Sequence, residues 1–283
     1  MRVRQLVPAA ESFSEASAPT DVVQYAGSVA RPGADLVARE EPLEIQLGAA
    51  PLAVVMRTPG HDEELACGFL VTERVVSEPG QILSARHRSL ARDPASAENV
   101  VRVVLADGVR VDLEALRRNL YASSSCGICG KATLDNALAT APALDDPARF
   151  APDFFYGLPE RLVRAQVAFA ETGGVHGAAL FDARGELVVA REDVGRHNAV
   201  DKVVGYALRA GRLPLSGHVL LVSGRISYEI AQKALAARIP VVAAVSAPTS
   251  LAVDLAVRAR MTLVAFLRGR SLNVYGERTR VAG

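Results

Sequence analysis

Lysine and cysteine are scarce in this chain of 283 residues: lysine occurs as Lys131, Lys202 and Lys233, and cysteine as Cys67, Cys126 and Cys129. So few cysteines exclude a disulfide framework, and a single C-x-x-C excludes a four-thiolate structural zinc site. Half of the residues are apolar, so a chain of this length buries a core without staples. No apolar run is long enough to cross a bilayer, and Met1 to Pro8 lacks the apolar centre of a secretory signal. The expectation is a cytoplasmic protein. A net charge of +1 gives no electrostatic case for nucleic acid or an acidic membrane surface. The preference for arginine over lysine is compositional, and no internal repeat of fixed period stands out.

Against that background, Ser123-Ser124-Ser125-Cys126-Gly127-Ile128-Cys129-Gly130-Lys131 stands out. A helix is expected from Ala132 to Thr140, which puts both sulfurs near a helix N-terminus. Backbone N–H groups, the positive end of the helix dipole and the Lys131 ammonium all favour a thiolate over a thiol. In a reducing compartment such a pair points to redox, sulfur-transfer or metal chemistry. Cys67, inside an apolar helical segment, reads as a buried small hydrophobe.

Residues 1 to 34 are rich in Ala, Ser, Pro and Glu and lack a sustained period, which predicts a mobile tail ahead of one α/β domain over 35–283. Leu43, Ile45 and Leu47 alternate with polar neighbours and Leu52 to Met56 is apolar, predicting two strands paired through Gly48 to Pro51. A helix follows from His61, with Asp62, Glu63 and Glu64 in its first turn. Asp107-Gly108 between two apolar runs predicts a hairpin. Three prolines in residues 140–152 mark a candidate boundary between two lobes. A helix opened by Pro159 is expected to run to Glu171. Beyond Val175 to Phe181 and Glu186 to Ala190, two-sided apolar strands alternate with helices, which predicts a mostly parallel C-terminal sheet flanked by helices.

In such a sheet, ligands gather where strand carboxyl ends meet helix N-termini. Those places here read Ser223-Gly224-Arg225, Ser246-Ala247-Pro248-Thr249-Ser250 and Arg268-Gly269-Arg270. Small residues let an anion approach backbone N–H groups, and the arginine fork suits phosphate. Turn-forming Gly, Ser and Pro also serve plain strand-to-helix connections. The densest polar cluster is Arg191-Glu192-Asp193-Val194-Gly195-Arg196-His197-Asn198, with Asp201 and Lys202 one turn on; it fits a binding face or a solvated helix start. His176 follows Gly173-Gly174 at a strand start, where a histidine is commonly a hydrogen-bonded structural group.

His61-Asp62-Glu63 followed by Cys126-Gly127-Ile128-Cys129 also fits the H-x-E then C-x-x-C order of zinc nucleobase deaminases, in which one histidine and two thiolates hold Zn²⁺ and the glutamate moves protons. Ser125 stands where that signature has proline. The flanking glycines suit a mobile arm better than a rigid metal corner.

A family resemblance covers residues 40 to 276. It rests on Arg57-Thr58-Pro59-Gly60 with Glu64-Leu65 and Gly68-Phe69-Leu70, the Ser124 to Lys131 loop, Thr172-Gly173-Gly174-Val175-His176, Arg191 to Lys202, Ser223-Gly224-Arg225 and Ser246-Ala247-Pro248-Thr249. Together these resemble the formate dehydrogenase accessory sulfurtransferases, the FdhD family. The resemblance implies a cytidine-deaminase-like layered fold without a resident metal. It implies that Cys126 carries a persulfide taken from a cysteine desulfurase, with Cys129 as its neighbour. It implies further a client cofactor, the molybdenum or tungsten bis(molybdopterin guanine dinucleotide), a formate dehydrogenase catalytic subunit as recipient, and a homodimer. By the same resemblance, Phe266, Leu267, Arg268, Gly269, Arg270 and Ser271 face the cofactor, together with His176, Arg196, His197, Asn198, Gly224, Arg225, Ser246 and Thr249. Arg74 departs from the pattern, which has glycine there.

Overall fold

The computed structural model of the chain describes residues 15–87, 99–111, 113, 116, 138 and 141–282. Strands β3 (Glu41–Leu47) and β4 (Ala50–Arg57) form the expected hairpin. Alternation places Leu43 and Ile45 wholly in the core. Helix α1 (Asp62–Thr72) follows, its acidic first turn complementing the dipole. Strands β5 (Ile82–His87) and β6 (Val100–Leu105) complete a sheet of order β4-β3-β6-β5. The hairpin expected at Asp107-Gly108 does not form. Both edges of β6 are already taken, by β3 in parallel and β5 antiparallel, so Val109 and Val111 pack against the core instead of adding a strand.

In place of one helix from Pro159 there are three short ones, α2 (Asp153–Tyr156), α3 (Leu158–Ala165) and α4 (Val167–Thr172). The break falls at Gln166, which packs so tightly on Gly177 that a Cβ there would lie 2.6 Å from its Cδ. The Glu192 carboxylate then accepts from Ala168 N–H and Phe169 N–H at 2.9 and 2.8 Å, giving α4 an N-terminal cap of its own.

The larger sheet has the order β12-β11-β10-β9-β7-β8. Its strands are β7 (His176–Phe181), β8 (Leu187–Asp193), β9 (Val219–Val222), β10 (Val241–Ala244), β11 (Thr262–Arg268) and β12 (Ser271–Gly276), with helices α5 (Arg196–Arg209), α6 (Tyr228–Ala236) and α7 (Ser250–Ala259) between them. The expectation of a mostly parallel sheet is corrected to a mixed one. Only the pairs β9–β10 and β10–β11 are parallel, while the pairs β7–β8, β7–β9 and β11–β12 are antiparallel. Tight turns at Gly185 and Gly269 return β8 and β12 beside their predecessors, which only an antiparallel pairing permits. One face of the sheet carries the core shared with α1, α5, α6 and α7, and the other a smaller cluster with Phe150, Phe155, Leu158 and Leu162. No helix among the described residues is long and apolar enough to cross a membrane.

The tail expected over residues 1–34 carries regular structure from Ser17 onward. Strands β1 (Ser17–Ala26) and β2 (Val29–Ala38) pair along their whole length through Gly27-Ser28. Most of their side chains are exposed, so no apolar alternation announces them.

Helices α1 and α5 touch backbone to backbone. A Cβ on Gly68 would sit 1.7 Å from the Asp201 carbonyl oxygen, and one on Gly205 would sit 1.8 Å from that of Glu64. Ion pairs reinforce the crossing. Arg191 forks onto Glu64 at 2.6 and 2.9 Å. Lys202 Nζ meets Asp193 at 2.8 Å and donates to the Thr58 carbonyl, while Asp193 accepts from Thr58 N–H. Lys233 joins Asp201 at 2.9 Å beside Thr72, and burial pushes the Asp201 carboxyl up to about 6.

Two outcomes follow from this crossing. Gly205→Ala destabilises the protein by about 3 kcal/mol through overpacking, read as a lowered denaturation midpoint; an unchanged midpoint refutes the backbone contact. Lys233→Met strands a buried carboxylate and costs about 3–5 kcal/mol at neutral pH. Asp201 binds its proton more tightly folded than unfolded, so this variant loses stability as pH rises from about 5 to about 8, and adding Asp201→Asn removes that slope. Denaturant titrations of both variants at the two pH values check this, and equal costs at both contradict it.

Candidate functional site

Strand directions decide where ligands can meet helix N-termini. The carboxyl ends of β8, β9, β10 and β11 lie along one edge of the larger sheet, beside the amino ends of β7 and of α5, α6 and α7. His176 opens β7 opposite Asp193, the last residue of β8. Ser223, just past β9, donates its N–H to the Gly177 carbonyl, and its hydroxyl accepts from Gly177 N–H at 2.9 Å. Gly224 fits between His176 and Arg196: a Cβ there would lie 3.6 Å from His176 Nδ1 and 4.0 Å from Arg196 Cδ. The loops after β9 and β10 are zipped together by a bridge between Ile226 and Pro248, and Thr249 N–H donates to the Ile226 carbonyl while its hydroxyl caps α7 at Ala252 N–H. The Ser246 carbonyl accepts from Phe266 N–H, and Arg268 Nε donates to the Val245 carbonyl at 3.2 Å.

The edge therefore gathers His176, Arg196, His197, Gly224, Arg225, Ser246, Thr249, Phe266 and Arg268 from five separate stretches. Five other expected residues do different work. Asn198 donates to the Met56 carbonyl and to Asp193, a tie between the sheets. Leu267 is 1% exposed and belongs to the second core. Gly269 and Ser271 belong to the β11–β12 hairpin, so no helix N-terminus follows Arg268. Arg270 turns to Asp153 at 2.8 Å and lies over the Tyr156 ring. Cys126 and Cys129, with Lys131 and the helix expected behind them, lie outside the described residues.

Charge at this edge comes from arginine. Burial and the neighbouring Arg196 hold His176 below the usual imidazole value, and the same two causes push His197 down to about 4. Both rings are thus neutral near pH 7, able to donate one hydrogen bond and accept another. Arg196 Nε is buried and has no hydrogen-bond partner among the described residues, while Arg225 and Arg268 are exposed. Phe266 is exposed at a φ of 54° within a bulge between β11 and β12, a backbone state uncommon for an aromatic residue. One unmatched guanidinium N–H on Arg196, two exposed arginines, neutral histidines and a presented aromatic face suit an anion carrying a flat ring, and so fit the guanine-nucleotide ends of the implied cofactor.

Sequence reasoning missed one part. A cavity of about 470 Å³ beside this edge is lined by His176, Ser223 and Val245 and also by Gln166 and Phe169. Gln166 Nε2 is buried there without a hydrogen-bond partner among the described residues. Its place in an ordinary helical pattern gave no signal; only the break between α3 and α4 reveals it.

Two further expectations concern the amino-terminal half. Cys67 is 1% exposed and burial lifts its thiol to about 11, as a small hydrophobe requires. His61 adopts a left-handed conformation 3.7 Å from Glu64, and Glu63 pairs with Arg209 at 2.6 Å. Both side chains that the deaminase alternative would use thus have other partners.

Comparison with known proteins agrees with the resemblance. Residues 38–282 match the model of the FdhD/NarQ family. The chain is 55% identical to the sulfur carrier protein FdhD of Streptomyces avermitilis over 252 residues, covering 88% of this chain and 89% of that one. With the protein of the same name from Mycobacterium tuberculosis it shares 50% over 254 residues, 87% and 92% of the two chains. A crystal structure from Desulfotalea psychrophila, assigned as a formate dehydrogenase accessory protein, superposes with a TM-score of 0.72 at 24% identity, covering 94% of this chain and 99% of the other. These relatives lend the deaminase alternative no support. With the family pattern spanning both sheets and the crossing between them, the chain belongs to the FdhD/NarQ family.

Proposed function

We propose that this chain is a sulfur carrier that takes persulfide sulfur from a cysteine desulfurase and delivers it to the metal of a bis-guanine-dinucleotide cofactor destined for formate dehydrogenase. The observation that carries the reading is the 55% identity to a sulfur carrier protein across 88% of the chain. The clustering of Arg196, Arg268, His176 and Phe266 at one sheet edge supports a nucleotide-bearing client. A cytoplasmic setting, a homodimer and the deaminase-like layering belong to the same reading.

In this mechanism the Cys126 thiolate attacks the outer sulfur of the donor's persulfide. A sulfur–sulfur bond forms on Cys126 as the donor's own bond breaks, and the donor leaves as a thiolate, so no external oxidant or reductant is required. The persulfide carries its charge on the terminal sulfur. Cys129 is placed by the sequence to receive or resolve that sulfur. The arginines of the sheet edge hold the phosphates of the client while it waits.

Two experiments test the reading. After incubation with a desulfurase and cysteine, the wild-type chain gains about 32 Da on Cys126 by mass spectrometry, and Cys126→Ala gains nothing while still binding GDP; full loading of that variant rejects the assignment. Arg196→Ala and Arg268→Ala each weaken GDP binding about tenfold, as expected for loss of a charged hydrogen bond, measured by calorimetry. Unchanged affinity removes the residue concerned from the site.

A further inference from the structure

The opposite edge of the larger sheet holds a second cavity, of about 620 Å³, lined by Arg74 and Val75 beyond α1, Leu213 and Pro214 before β9, and Ala237 and Arg238 beyond α6. Among the described residues no acidic side chain lines it. Its walls are otherwise apolar with a few polar groups, and its size falls in the range of small-molecule sites.

Arg74 is the unusual member. It ends α1 with a φ of 63°, a left-handed state in which glycine is normal and an L side chain is strained. The Val75 N–H to Leu70 carbonyl bond that closes the helix, at 2.8 Å, would form equally well with glycine there. The arginine side chain is therefore not needed to end the helix. Its Nε and Nη2 are buried and have no hydrogen-bond partner among the described residues, although a buried guanidinium donor left unmatched is costly. A cation beside a helix C-terminus is favourable in itself, yet a guanidinium serving the terminal carbonyls would bond to them, and these two atoms do not. Arg238, also at positive φ, donates to the Pro142 and Ala143 carbonyls and adds positive charge to the same wall. The other ionisable groups acting on Arg74 are Glu73 and the Tyr228 phenol.

We infer that this cavity binds a small organic anion, a carboxylate or phosphate ester with an apolar body, whose oxygens occupy the Arg74 fork. The site is separate from the proposed nucleotide site: it lies where β9 and β10 begin, whereas the nucleotide-facing loops lie where they end.

The test uses thermal denaturation and calorimetry of the full chain with three probes: phenyl phosphate, benzoate and the neutral analogue phenol. At least one of the two anions raises the midpoint of the wild type while phenol does not, and which anion does so separates the phosphate from the carboxylate source. Arg74→Gly suits the backbone angle, so it folds, and it binds that anion at least tenfold more weakly. Arg74→Gln, which keeps a side chain but removes the charge, also weakens it. Arg196→Ala leaves it intact, so failure here is distinguishable from failure of the proposed nucleotide site. Absence of a shift with both anions, or equal affinity in wild type and Arg74→Gly, overturns the inference and leaves the cavity to water.

Discussion

Two glycines that bring helix backbones into direct contact set the geometry on which the rest depends. Gly68 and Gly205 let α1, which covers the amino-terminal sheet, lie directly on α5. The same α5 begins with Arg196 and His197 at the carboxyl edge of the larger sheet. Its position is then fixed along its length by Lys202 against Asp193 and by Asp201 against Lys233. Buried ion pairs of this kind add little net stability but penalise any other arrangement, because a slip would strand a charge in the core. The first turn of α5 is thus aligned by charges buried behind it.

This division explains what could be read from the sequence. The alternating helices and two-sided strands after residue 196 were legible because burial on both faces imposes continuous apolar runs. Strand direction was not. An apolar strand looks the same whether its neighbour is parallel or antiparallel, so the reversals at β7 and β12 and the hairpin between Arg268 and Ser271 emerge only from the pairing. Helix ends were also obscured, because α1, α6 and α7 finish on left-handed Arg74, Arg238 and Arg260 where glycine would have marked the stop. The β1–β2 hairpin left no trace because its side chains are mostly in solvent.

The site was partly legible for a similar reason. Small residues after β9 and β10, with Arg225 after β9, advertise loops that anions can approach, and the structure brings those loops together with His176 and Arg196. The charged string from Arg191 to Lys202 looked like one functional face, yet Arg191, Glu192, Asp193, Asn198 and Lys202 each bind another part of the chain. Polarity in a sequence does not say whether a charge faces a ligand or a buried partner. Here most of them hold the scaffold, and Arg196 keeps an Nε unmatched among the described residues.

Hydrogen exchange of the full chain with and without GDP tests this arrangement most directly. The account predicts slowed exchange in the loops after β9 and β10 and in the first turn of α5, around Ser223–Ile226, Ser246–Thr249 and Arg196–Asn198. Protection confined to the opposite edge, around Arg74 and Arg238, or no protection at saturating nucleotide, would contradict it.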